Sequence, residues 1–128
     1  MSRKGKFYNI KPSATAASVI PGVQWGVFLE SFGRFHHRWP TKIETRDTVT
    51  KEQVVSHESP LESIELDLED QRNPRINVSV RLDNKLVKHI LFLPSRVVHR
   101  THSDSSEESL EIETLNTVTT IYVRPREE

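Results

Sequence analysis

Residues 21–40 read PGVQWGVFLESFGRFHHRWP, and the rest of the chain is organised around this stretch. Trp25, Phe28, Leu29, Phe32, Phe35 and His36 recur at the spacing of one face of an α-helix. Gln24, Glu30, Ser31, Arg34 and His37 fall away from that stripe. The spacing predicts an amphipathic helix over 21–37. Pro21 suits a first turn, where its missing N–H has no partner to lose. Pro40 stops the helix, because the residue before a proline avoids the α region. Gly26 and Gly33 each cost the helix about 0.5–1 kcal/mol against alanine, so packing has to hold it.

Beyond Pro40 the period drops from 3.6 to 2. Ile43 and Thr45 alternate with polar neighbours, and Val49–Val55 reads as a second strand. Ile64, Leu66 and Leu68 alternate with Glu65, Asp67 and Glu69; Ile76, Val78, Val80 and Leu82 alternate with Asn77, Ser79 and Arg81. Asp83-Asn84-Lys85 has the composition of a hairpin turn into a strand over 86–93. Strands over 96–101, 110–114 and 118–123 complete the chain, with a polar loop over 103–108. Clean alternation gives each strand one dry and one wet face, as in an antiparallel sheet. The expected architecture is α+β: one N-terminal amphipathic helix packed on a twisted, mainly antiparallel sheet of six to seven strands, in the extreme a half-open barrel. The expected divisions are a flexible basic tail at 1–20, a single domain at 21–124 and a polar end at 125–128.

The chain has 128 residues and no cysteine, so disulfides, thiolate metal sites and a cysteine nucleophile are excluded. Net charge is zero, but residues 1–50 carry eight Lys/Arg against three Asp/Glu, while residues 51–128 carry ten against fifteen. The basic end has the charge to meet an anionic partner. No run approaches the roughly 18 apolar residues of a membrane span, and no signal peptide is read at the start. A cytoplasmic location and no membrane partner are expected.

Glycines are four and scattered, so no phosphate-cradling loop exists, and no G-x-S-x-G elbow occurs. Glu62, Glu65, Asp67, Glu69 and Asp70 read as the wet face of a strand answered by Arg72, Arg75 and Arg81, rather than as a catalytic pair. Six histidines occur, at 36, 37, 57, 89, 99 and 102, without the spacing of a chelating helix or strand. No catalytic residue, metal site or cofactor is expected. His36, on the apolar stripe, reads as a buried histidine bonded to a backbone carbonyl. The functional alternative is that His36 and His89 meet at the helix–sheet seam as a pH-sensitive pair.

The order Trp25, Phe28-Leu29, Phe32-x-Arg34-x-His36, Pro60-Leu61-x-x-Ile64, His89-x-x-x-x-Pro94, Leu110-x-Ile112 and Thr119-Thr120 resembles a family of short, mostly bacterial proteins, the domain-of-unknown-function family numbered 5335. The likeness spans about residues 22–124. It implies a compact single domain in a bacterial cytoplasm and transfers no activity. The chain departs from the pattern in its longer tail, in Phe35 and His37 at polar positions, and in Asn116-Thr117 where a glycine turn is usual. The leading functional expectation is a small non-enzymatic binding or accessory domain. It would contact an unidentified protein partner through Arg34, His37, Arg38 and Trp39. The alternative is nucleic-acid association through the basic residues of 1–20, and a His-dependent enzyme ranks third. A homodimer through edge strands is also credible.

Overall fold

A computed structural model describes residues 15–126. The aromatic stretch coils, but over a shorter span than its spacing predicts. The helix α1 covers Trp25–Phe35 and follows a 3-10 turn at Gly22–Gln24. Nine strands accompany it: β1 Thr15–Val19, β2 Pro40–Asp47, β3 Gln53–Val55, β4 Ser59–Asp67, β5 Arg75–Leu82, β6 Lys85–Phe92, β7 Arg96–His102, β8 Glu108–Glu113 and β9 Thr117–Val123. They form one sheet in the order β1-β7-β8-β9-β2-β4-β5-β6, with β3 branching from β2. Every pairing is antiparallel. The sheet is not closed, because β1 and β6 each have a strand on one side only.

The strand count exceeds the predicted six to seven. One strand that periodicity could not show is β1, which lies inside the predicted tail 1–20 and pairs with β7 from Thr15↔His102 to Val19↔Val98. All five of its side chains are exposed. It is held by backbone hydrogen bonds and carries no alternation to read. The basic residues of the predicted tail, Arg3, Lys4, Lys6 and Lys11, fall outside the described residues.

Both helix ends differ from expectation for local reasons. Pro21 has ψ 144°, so it precedes the first turn instead of starting it. At the other end the chain leaves the helix at His36, before Pro40 can act. The Arg38 N–H donates to the Leu61 carbonyl at 2.7 Å, and the Leu61 N–H donates to the Trp39 carbonyl at 3.0 Å. Strand β4 thus captures the chain as it turns, with Arg38 in the left-handed region at φ 71°.

The predicted stripe splits. Leu29 and Phe32 are buried, Trp25 and Phe28 are half-buried, and Phe35 is 71% exposed. Leu29 and Phe32 enter a single core with Ile43, Leu61, Ile64, Ile76, Val78, Val80, Leu91, Val97, Leu110, Ile112, Ile121 and Val123. Leu91 of β6 and Val97 of β7 share this core although six strand spacings separate their strands along the sheet order. A flat sheet would hold them roughly 30 Å apart, so the sheet bends around the helix. A bulge in β4 between Leu61 and Ser63 lets Leu61 and Ile64, three residues apart, both point inward. Leu68, predicted to continue that strand, lies beyond its end and is 50% exposed. The β5–β6 turn is Asp83-Asn84, with φ 53° and 67°, the two-residue turn of left-handed positions that matches hairpin twist.

The two helix glycines are not equivalent. A Cβ on Gly33 would lie 2.8 Å from the backbone nitrogen of Ile64, so α1 rests on β4 with no room for a methyl group. A Cβ on Gly26 would meet only Leu66 Cδ2 at 4.0 Å. Gly33→Ala is expected to destabilise the fold by about 1–3 kcal/mol through overpacking. Gly26→Ala is expected to stabilise it by up to about 1 kcal/mol through helix propensity. Urea unfolding of the two variants checks the opposite signs.

Candidate functional site

The C-terminal end of α1 delivers His36 into the interior, 2% exposed. Its Nδ1 lies 2.7 Å from the Phe32 carbonyl oxygen, which can only accept, so Nδ1 carries a proton. Its Nε2 lies 3.0 Å from Glu108 Oε2 at the start of β8. The other oxygen of that carboxylate, Oε1, accepts from His99 Nε2 of β7 at 2.7 Å. One carboxylate thus ties the helix end to two strands. Partial burial works to raise the Glu108 pKa, but hydrogen bonds and charge from His36 and His99 outweigh it, and the net shift is downward. The arrangement is a buried histidine–carboxylate hydrogen bond.

Aromatic rings enclose this pair. Phe32 lies 4.1 Å from the His36 ring and 5.5 Å from the His99 ring, centre to centre. Phe28 lies 5.4 Å from His99. Trp39 and Phe35 meet His36 edge to face at 4.6 and 4.9 Å. On the solvent side, Phe35, Trp39, Thr101, Ser105, Ser106, Glu107 and Glu108 line a groove of about 280 Å³.

The predicted contact residues Arg34, His37, Arg38 and Trp39 do not share one surface. Arg34 pairs with Glu30 at 3.4 Å, and His37 approaches Glu62 at 3.7 Å. Both line a separate groove of about 450 Å³ with Glu30, Glu62, Ser63 and Glu65. Trp39 belongs to the groove of Phe35. Arg38 is exposed, and its side chain has no partner among the described residues.

The structure does not bring His36 and His89 together. His89 sits on β6 opposite Val78 and lines a groove of about 470 Å³ with Thr45, Leu91, Asn116, Thr117 and Thr119. That groove lies at the Thr117 end of β9, whereas Glu108 pairs with Val123 at the other end. Burial pushes the His89 pKa down, and no acidic residue lines its groove. The partners of His36 are Glu108 and, through that carboxylate, His99. In the sequence Glu108 closes a polar run that reads as loop, and the one signal for His99 is its alternation in phase with Val97.

Both nitrogens of the His36 ring are engaged, so in this geometry the ring has no free atom to exchange a proton with a ligand. Among the described residues, no group of three or more His, Asp or Glu is placed to hold a metal ion. The Glu108 carboxylate stands between the two imidazoles, so their nitrogens do not converge on a common point. The acidic run behaves as strand surface: Asp67 pairs with Arg75 at 2.8 Å, and Glu62 pairs with Arg81 at 3.0 Å. Among the described residues no helix is long and apolar enough to cross a membrane. Comparison with protein families, curated proteins and solved structures found no match to this chain.

Acid sensitivity follows with its sign. A carboxylate whose folded pKa is depressed stabilises the fold above its ordinary value and loses that contribution as pH falls through the folded value. For Glu108 this window opens below about 4.5. A histidine whose folded pKa is depressed by burial likewise stabilises the fold above its ordinary value of 6.5 and loses that contribution as pH falls. Unfolding free energy is expected to drop between pH 7.5 and 5.5, and His89→Phe is expected to flatten that drop. Glu108→Gln is expected to flatten the further fall below about pH 4.5. Urea titrations across this range check both windows.

Proposed function

We propose that the protein is a small non-enzymatic binding domain and that its protein-contact surface is the aromatic ledge at the end of α1. One observation carries this reading: Phe35 is 71% exposed beside half-buried Trp39, on a helix whose other aromatic rings turn inward. Interfaces favour such aromatic anchors beside a pocket. The ledge is rigid, because both rings pack against His36, which Glu108 and the Phe32 carbonyl hold in place. The fitting partner presents an apolar side chain to the groove and a basic group to Glu107 at its rim.

We keep Arg38 in the proposed contact because it adjoins Trp39 in the chain. A non-glycine residue in the left-handed region costs about 1–2 kcal/mol, and this one is exposed with no side-chain partner among the described residues. Arg34 and His37 are left out of the proposed contact, since Glu30 and Glu62 already face them. We retain the resemblance to the family numbered 5335, and a cytoplasmic location, as proposals that add no activity.

The test is affinity capture from a cell extract with the full chain, quantified against Phe35→Ser and Arg38→Gly. Partners recovered by the wild type are expected to be lost with Phe35→Ser. Thermal unfolding of that variant is expected to change little, as for most exposed substitutions. Arg38→Gly is expected to raise the melting temperature while weakening capture. Equal recovery by all three proteins would exclude this ledge.

A further inference from the structure

At the far end of the sheet from β1, strand β6 presents a different kind of surface. It is eight residues long, pairs with β5 without a break from Arg75↔Phe92 to Leu82↔Lys85, and among the described residues has no strand on its other side. It contains no proline and no bulge, two of the devices that blunt an edge, and its lysines are confined to Lys85 at its start and Lys88. Its outward side chains are Leu86, Lys88, Ile90 and Phe92; Leu86 is 54%, Ile90 40% and Phe92 56% exposed. By contrast, β1 at the other edge is a five-residue strand of small side chains, TAASV. An exposed, regular, apolar edge is a template for one more strand.

We propose that a second copy of this chain is that strand, joined antiparallel through β6 about a two-fold axis at His89. The strand is self-complementary in this register. Leu86 faces Phe92 of the second copy, Val87 faces Leu91, and Lys88 faces Ile90, so no lysine lies opposite another. Only His89 meets itself. Moving the axis one residue toward Lys88 sets the two Lys88 ammonium groups directly opposite each other, which is destabilising. Moving it one residue toward Ile90 carries Leu86 past the end of the strand, opposite Pro94. Keeping like faces together requires paired residues of the same parity, so intermediate registers are not available. The two-fold arrangement closes on itself and pairs the β6 edges of both copies at once. Pairing β6 with β1 of another copy would leave one β6 and one β1 edge free to repeat the same contact, and so grow without limit. This surface is independent of the ledge at the end of α1.

Charge substitution at residue 90 tests both the partner and the register, because in this arrangement residue 90 faces Lys88 of the other copy twice. Sedimentation velocity over a concentration series is expected to show a reversible dimer for the wild-type chain. Ile90→Lys places lysines opposite each other and is expected to give a monomer at concentrations where the wild type is dimeric. Ile90→Glu places a carboxylate opposite each Lys88 and is expected to keep the dimer. Both substitutions remove the same apolar side chain, so their opposite outcomes separate register from loss of hydrophobicity, and circular dichroism confirms that each variant is folded. Amide hydrogen exchange along β6 is expected to slow with protein concentration. A wild-type chain that stays monomeric at every concentration overturns the proposal. So does a dimer that responds identically to the two substitutions, or one whose β6 amides gain no protection.

Discussion

The close seat of α1 on β4 is the constraint from which the rest follows. Gly33 lets the helix backbone approach the backbone of Ile64, and this draws Leu29 and Phe32 into the sheet's interior. The helix buries only one side of an eleven-residue segment, too short to be stable alone in water. It exists because the bent sheet supplies the other half of its core. The dependence runs both ways, since nine strands with one dry face would leave that face open to water without the helix.

Where α1 ends, packing gives way to electrostatics. A buried hydrogen bond gains little net stability, because desolvation consumes much of its attraction, but breaking one partner away is costly. The His36–Glu108–His99 contact therefore specifies position more than it adds strength. It sets the angle at which the helix end meets β7 and β8. It also fixes where Phe35 and Trp39 stand, since both rings lean on His36. A hydrogen-bonded cluster beneath an exposed aromatic pair restrains both rings.

The two outward-looking features of the molecule sit on different parts of the fold and use different physics. The ledge offers side chains over a shallow groove. The β6 edge offers backbone hydrogen-bonding groups flanked by apolar side chains. Among the described residues β6 pairs only with β5, and its outward side chains Leu86, Lys88, Ile90 and Phe92 lie away from the core that Leu91 enters, while changes around His36 reach Phe32 and hence the core itself.

Periodicity in the sequence was enough to place one helix on an antiparallel sheet, to locate most strands, and to put His36 on the buried side of α1. These follow from local alternation and spacing, which survive any tertiary arrangement. Three things did not follow. Strand β1 has no buried side chain, so it left no pattern to read. Phe35 shares the helical stripe with Phe32 but lies at its edge, and the packing of the sheet decided that this edge stays uncovered. The partnership of His36 with Glu108 and His99, rather than with His89, joins residues more than sixty positions apart. Spacing along a chain carries no information about such contacts. They depend on strand order and on the bend that carries β7 and β8 to the end of the helix, and those belong to the folded molecule alone.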